Sequence, residues 1–136
     1  MKTEDTRALM ERYIAARATN DAAALEPLLT DDVEWHLPVG AGAGPFTGRD
    51  AVLAALTGGV SGTLFDLSTM KREAWKVIVD GDTAAVQLRV SARTLKDAEY
   101  VNEYCWVYTC RDGKVARMVE YADTLNAARI LGFVKT

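Results

Sequence analysis

The sequence is poor in the residues that build metal centres and disulfide frameworks. It has one histidine and two cysteines among 136 residues. Cys105 and Cys110 lie on one predicted strand, where five residue steps place them about 16 Å apart on opposite faces. A disulfide spans only about 7 Å between its Cα atoms, so the two are not expected to pair. We therefore expect no metal site, no cofactor requirement, and a reducing, cytoplasmic compartment.

Long apolar runs and an excess of positive charge are also missing. No stretch approaches the roughly 20 apolar residues that span a bilayer, and the N-terminus has no apolar run of the signal-peptide type. The 16 lysines and arginines are outnumbered by 19 acidic residues, which gives a net charge of −3. Neither a nucleic acid nor a membrane is therefore an expected partner. An apolar share of 49% is typical of a globular protein, and we expect one domain over residues 1–136.

Local signals predict helices first and strands later. Tyr13 belongs to an apolar stripe at helical spacing, in a first helix that Thr3 can cap and Asn20 can end. Asp21 can cap a second helix. Helices are predicted at 3–20, 21–29, 49–56 and 125–131, and strands at 33–37, 63–79, 83–95, 100–110 and 114–122. This order predicts an α+β fold, in which helices cover one face of a curved antiparallel sheet.

Two dipeptides, Asp80-Gly81 and Asp112-Gly113, predict tight hairpin turns. If the second turn is formed by these two residues alone, Cys105 lies opposite Glu120. Alternation then sorts the last hairpin into two faces. One face carries Val101, Glu103, Cys105, Val107, Met118, Glu120 and Ala122. The other carries Asn102, Tyr104, Trp106, Tyr108, Arg117, Val119, Tyr121 and Asp123.

Both ends of the chain resemble one group of proteins. The segments are Arg12–Ala16 and Asp31–Gly40 near the start, and Asp112–Val115 and Glu120–Thr124 near the end. They resemble the ketosteroid isomerases and SnoaL-like polyketide cyclases of the nuclear transport factor 2-like superfamily. The resemblance implies a cone-shaped, curved antiparallel sheet wrapped around N-terminal helices (a cystatin-like roll), with a pocket for a small hydrophobic molecule. The other face of such a sheet needs cover, so a homodimer is expected.

A gapless comparison with ketosteroid isomerase turns the Glu120 face of the hairpin towards the pocket. The face with Tyr104, Trp106 and Tyr108 would then lie outward or in the dimer interface, although an aromatic face could also line a cavity. A carboxylate in an apolar pocket has a raised pKa, which suits a general acid or base. Limonene epoxide hydrolases, relatives in the superfamily, use a carboxylate at the position that matches Glu120. Alternatively, Glu120 or Glu103 lies hydrated at the mouth of the sheet or pairs with an arginine.

Three more positions follow from the same comparison. Tyr13 matches the tyrosine that donates a hydrogen bond to the substrate oxygen, although it could equally be a core tyrosine. Leu37 occupies the place of the general-base aspartate and Cys105 that of the second oxyanion-hole acid, so authentic steroid isomerisation is not expected. His36 is the only side chain expected to titrate near pH 7 unperturbed. Strand alternation turns it away from Leu37 unless Pro38 reorients it, and a structural role is the alternative.

The leading hypothesis is a SnoaL-like enzyme that performs acid/base isomerisation, cyclisation or epoxide opening on an apolar substrate without a cofactor. Glu120 would move the proton, Tyr13 would polarise the substrate oxygen, and His36 would assist. The predicted substrate-binding residues are Trp35, Leu37, Glu103, Cys105, Val107 and Met118. One alternative is a non-catalytic binding protein for a small hydrophobic ligand. Another is an interaction module that uses the face with Tyr104, Trp106 and Tyr108.

Overall fold

The structure, a computed structural model, describes residues 1–59 and 61–135. The helices are α1 (Thr3–Thr19), α2 (Ala22–Leu25), α3 (Arg49–Leu56), α4 (Ser61–Leu64) and α5 (Thr124–Ile130). The strands are β1 (Leu29–His36), β2 (Phe46–Thr47), β3 (Phe65–Asp80), β4 (Thr83–Thr94), β5 (Glu99–Arg111) and β6 (Lys114–Ala122). Short 3₁₀ turns occupy Glu26–Leu28 and Val39–Ala41. Over the described part of the chain, no helix is both long and apolar enough to cross a membrane.

The strands form one curved sheet in the order β2-β1-β6-β5-β4-β3, which confirms the predicted α+β fold. Neighbouring strands are antiparallel except for β1 and β6, which run parallel. We call the face that packs against α1 through Val86 and Leu88 the inner face, and the opposite one the outer face. Strand β1 begins at Leu29, earlier than predicted, because Leu29 already pairs with Val115 of β6. Strand β2 has two residues, too few for a periodic signal.

The apolar stripe of α1 forms the centre of the core, as predicted. Leu9, Met10 and Tyr13 are fully buried. The helix ends where predicted, at Asn20, which adopts a left-handed conformation with φ of 53°. Asp21 caps α2 as predicted, since its carboxylate accepts a hydrogen bond of 3.0 Å from the backbone N–H of Ala23. These features are correctly predicted because each depends on a few neighbouring residues.

The start of α1 differs from the prediction. Thr3 is the first helical residue rather than the cap, and its Oγ1 accepts a hydrogen bond of 3.0 Å from the backbone N–H of Gly81. Thr6 donates to the carbonyl of the same glycine at 2.6 Å. The turn itself lies one residue later than predicted, because Asp80 pairs with Thr83 and leaves Gly81 and the next residue as the loop. The two threonines therefore fix α1 to the β3–β4 turn.

The last hairpin contains a β-bulge that the sequence does not reveal. Arg111 lies opposite Lys114, so the turn at residues 112–113 is confirmed. Further along, Thr109 lies opposite Arg117, which leaves β6 with one extra residue, Ala116. A one-residue slip turns every later side chain to the other face relative to its partner strand.

This register shift reverses the predicted orientation of the β5 side chains relative to those of β6. Glu120 lies opposite Trp106 rather than Cys105. The aromatic residues of β5 therefore share the inner face with Glu120, and the predicted dimer contact through Tyr104, Trp106 and Tyr108 is wrong. Those three side chains line the interior, whereas the outer face of β5 carries Val101, Glu103, Cys105 and Val107. The interaction module built on the aromatic face is excluded for the same reason.

Candidate functional site

A cavity of about 110 Å³ lies between the inner face of the sheet, α1 and α3. A single water needs roughly 10–15 Å³ of such space, so the cavity can hold a small ligand or several waters. Most of its wall is apolar, with Leu56, Val86, Leu88, Val90 and Trp106 among the contributors. Its charged side chains are Arg17 of α1, Arg72 of β3 and Glu120 of β6.

Glu120 is the acidic group of the cavity. The indole Nε1 of Trp35, on the neighbouring strand β1, donates a hydrogen bond of 3.1 Å to its Oε1. Burial raises the pKa of Glu120 from 4.5 to about 7, against the opposing effects of the Trp35 hydrogen bond and the positive charge of Arg17. A carboxyl group with this pKa exists in both protonation states near neutrality, as general acid/base catalysis requires.

The raised pKa of Glu120 predicts that this residue lowers the free energy of unfolding as the pH rises. Below its unfolded-state pKa of 4.5 the group is protonated in both states, and above about 7 it must be ionised in the folded cavity. The folded state therefore loses about 3 kcal/mol from this group across the window from about pH 4 to about pH 8. Urea denaturation along this range should show that wild type loses this much relative to Glu120→Gln.

Glu103→Gln is the matched control for that measurement. Glu103 lies on the outer face, where its Oε1 accepts a hydrogen bond of 2.9 Å from Arg89, and its side chain is 60% exposed. Its stability curve should run parallel to that of wild type. If the Glu120→Gln curve is also parallel to wild type, Glu120 is not the desolvated group described above.

Tyr13 and Tyr108 place two phenols at the cavity wall. Tyr13 donates a hydrogen bond of 3.6 Å to the sulfur of Met118, and its ring meets the edge of Tyr108 at a centroid distance of 5.1 Å. Burial raises the pKa of both tyrosines above the ordinary value of 10. Both therefore remain neutral hydrogen-bond donors. A thioether is a weak acceptor, so the Tyr13 hydroxyl has little to lose by turning to a substrate oxygen.

Tyr104 is the third phenol of the cavity, and a chain of polar side chains positions its hydroxyl. Its hydroxyl lies 2.6 Å from that of Tyr100, which also accepts a hydrogen bond of 3.0 Å from the amide of Asn102. Asn126 donates at 2.9 Å to the Asn102 side-chain oxygen and thereby fixes the orientation of the amide. A polar network therefore connects the cavity to the start of α5.

Arg17 and Arg72 are the site residues that sequence reasoning missed. Arg17 lies one helical turn after Tyr13, so the i, i+4 spacing alone could have placed it on the same face. Arg72 carried no comparable signal, because its direction depends on pairing with Val90 across the β3–β4 ladder. Burial and the nearby charge of Arg17 lower the pKa of Arg72 to about 10, which leaves it protonated at neutral pH.

The structure brings four of the predicted site residues together. Glu120, Tyr13 and Trp35 line the cavity, and Met118 is fully buried beside Tyr13. No group of three or more histidine, cysteine, aspartate or glutamate side chains in the described ranges could hold a metal ion.

His36 and Leu37 lie elsewhere. His36 is on the outer face beside Val119, and its Nε2 is 2.8 Å from Oε1 of Glu34. The last four residues of β1, at positions 33–36, alternate regularly between the two faces, so Pro38 does not reorient the ring inward. Leu37 packs at the edge of the core and, with His36, borders a separate groove formed by the loop at residues 38–45. The predicted position of His36 near the reacting centre is therefore wrong.

Glu103, Cys105 and Val107 also lie outside the cavity. Their predicted inward orientation is wrong, because it assumed an unbulged hairpin. Cys105 faces outward beside Gln87 and Tyr121, and Val107 lies between Ala85 and Val119. Glu103 forms the exposed ion pair with Arg89 described above, which was the alternative considered for it.

Comparisons with known proteins agree with the fold. The SnoaL-like domain family matches residues 10–118, and the chain belongs to this family. A Burkholderia pseudomallei protein of unknown function with a nuclear transport factor 2-like fold is 17% identical, with a TM-score of 0.81 over 93% of this chain and 97% of its own. No curated protein matches the chain.

Two further solved structures carry functional descriptions. A candidate ketosteroid isomerase from Kribbella flavida is 25% identical, with a TM-score of 0.70 over 88% of this chain and 78% of its own. An LEH-like epoxide hydrolase from M. tuberculosis is 15% identical, with a TM-score of 0.75 over 96% of this chain and 92% of its own. These similarities place the chain in the nuclear transport factor 2-like superfamily and leave its reaction to be inferred from the site.

Proposed function

We propose that this protein is a cofactor-independent acid/base enzyme, which isomerises, cyclises or opens a small apolar substrate that carries a polarisable oxygen. The observation that supports the proposal is Glu120, a carboxyl group with a pKa of about 7 in a cavity whose wall is mostly apolar. A structural carboxylate has no need of such a position, because burial without a cationic partner destabilises it.

Glu120 would move the proton through one of its two oxygens. Oε1 accepts the hydrogen bond from Trp35, whereas Oε2 has no hydrogen-bond partner among the described residues and would be the oxygen that transfers the proton. The ionised form would take a proton from a carbon acidified by a neighbouring carbonyl, or from a water that attacks an epoxide. The protonated form would return the proton to another atom of the same molecule, or to the opened oxygen.

The phenols would stabilise the negative charge that develops on the substrate oxygen. Tyr13 is the first candidate, since its hydroxyl donates to the Met118 sulfur, which is a weak acceptor. A neutral donor in a cavity of low polarity stabilises a developing oxyanion more strongly than water does. Leu37 replaces the aspartate base of ketosteroid isomerases and does not line the cavity, so the proposed proton transfer depends on Glu120 rather than on that position.

The names of the structural neighbours support the reaction class. One is a candidate ketosteroid isomerase and another an epoxide hydrolase, and both reactions need a proton-transferring group and a stabiliser for an oxygen. The cavity of this chain offers both kinds of group.

The proposal is tested by incubation with a panel of apolar enones, polyketide-like esters and epoxides in D₂O. Mass spectrometry would read both product and retained ligand. A product that carries deuterium at a formerly unexchanged carbon, or a diol from an epoxide, is the expected result. Retention of an unchanged ligand without any product would overturn the proposal that the protein is an enzyme. It would indicate a binding protein for a small hydrophobic molecule instead.

A further inference from the structure

Three well-exposed arginines of this chain form ion pairs, whereas two partly buried ones in the cavity wall do not. Arg89, Arg93 and Arg111 are each more than half exposed, at 52%, 51% and 53%, and each forms an ion pair. Arg17 and Arg72, which are partly buried in the cavity wall, have no carboxylate partner among residues 1–59 and 61–135. Sheltered charges are normally the ones that are paired, because an unpaired one is poorly solvated.

The partners that the two guanidinium groups do have are all neutral. Arg17 donates to the side-chain oxygen of Asn20 and, at 3.2 Å, to the carbonyl of Leu56. Arg72 donates at 3.4 Å to the carbonyl of Arg17. Each guanidinium has five N–H donors, so most of them are left without an acceptor in the described residues. The positive charge of the pair is therefore uncompensated.

Glu120 does not neutralise the pair. Its carboxylate is hydrogen-bonded to Trp35 and forms no ion pair with Arg17 or Arg72. When it is protonated, the cavity holds two positive charges and no negative one. An anion that enters the cavity would supply the missing counter-charge and acceptors together.

We propose that the cavity binds a small, flat organic carboxylate, with its carboxylate group on Arg17 and Arg72 and its apolar body against Trp106. Arginine matches a carboxylate with two parallel N–H···O bonds, which gives both affinity and orientation. The ring of Trp106 lies 5.4 Å from the tilted ring of Trp35 and 6.0 Å from the nearly parallel ring of Tyr108, and this aromatic wall suits an unsaturated body. The inference rests on the proposed function only in taking this cavity as the substrate site.

Pairs of matched probes test the charge requirement directly. Benzoate and cinnamate would be compared with benzamide and cinnamamide, which have the same shape without the charge. Binding would be read by Trp fluorescence and calorimetry at low salt and about pH 6, where most Glu120 is protonated. In wild type, each carboxylate should bind at least about tenfold more tightly than its amide, since bonds to charged groups are the stronger ones.

Variants of single arginines show which residue causes the preference for carboxylate over amide. Arg72→Met should bring carboxylate and amide to similar affinities, and Arg72→Lys should retain part of the preference as a point charge. Arg89→Met, on the outer face, should leave it unchanged. Equal binding of carboxylate and amide in wild type overturns the inference whatever the variants do, and so does a preference that Arg72→Met leaves undiminished.

Failure of this inference and failure of the proposed function can be told apart. A carboxylate preference without any turnover in the D₂O panel would sustain the anion site and reject the enzyme. Turnover of neutral substrates with no carboxylate preference would sustain the enzyme and reject the anion site. Glu120→Gln separates the two within one protein, since it should abolish turnover and keep or strengthen carboxylate binding.

Discussion

Replacing Glu120 with glutamine is expected to lower kcat by about 10²–10⁴-fold on any substrate that the wild-type protein converts, because an amide can neither take nor return a proton. Glutamine has the same shape, and its side-chain oxygen can still accept the hydrogen bond from Trp35. The cavity should therefore remain assembled, and KM should change much less than kcat. Steady-state kinetics on the best substrate of the panel would measure both.

Glu103→Gln serves as the matched control in this experiment as well. It makes the same chemical change on the next strand, on the outer face and in an exposed ion pair. Its kcat should equal that of wild type. A Glu120→Gln protein that retains full activity would show that Glu120 does not carry the proton, and equal losses in both variants would point to a general effect of removing charge.

Tyr13→Ala is expected to lower the free energy of unfolding by about 3–5 kcal/mol, the usual effect of removing a buried aromatic ring. Tyr13 is fully buried, contacts the ring of Tyr108 and lies beside Met118. Tyr13→Phe keeps the ring and removes only a hydroxyl whose acceptor is a thioether. Its stability should lie within about 1 kcal/mol of wild type. Urea denaturation would measure both variants.

The two variants separate packing from chemistry at this position. If the hydroxyl stabilises a developing oxyanion, Tyr13→Phe should lose about 10²–10³-fold in kcat while remaining folded. A fully active Tyr13→Phe would leave Tyr13 as a core residue, which was the alternative considered from the sequence. Tyr104 and Tyr108 would then be the remaining phenols able to polarise the substrate.

Features that depend on a few neighbouring residues were predictable. The stripe that buries Tyr13, the end of α1 at Asn20 and the turn at residues 112–113 all follow from short-range rules. The resemblance of the two chain ends also identified the superfamily correctly. Glu120 was placed on the inner face for a reason that was partly wrong, since its partner across the hairpin is Trp106 and not Cys105.

The sequence by itself therefore determined the order of the longer elements, the family and the presence of the Glu120 carboxyl group in the cavity. Tertiary structure alone decided which side of β5 faces inward, because the single extra residue Ala116 shifts the register and the side-chain period of a strand is two. The tertiary structure also decided that His36 lies outside the cavity and that Arg17 and Arg72 lie close together, since a helix and a distant strand meet only in the folded chain. Local sequence patterns carry no information on such long-range contacts. The proposed chemistry and the proposed anion site both depend on these contacts.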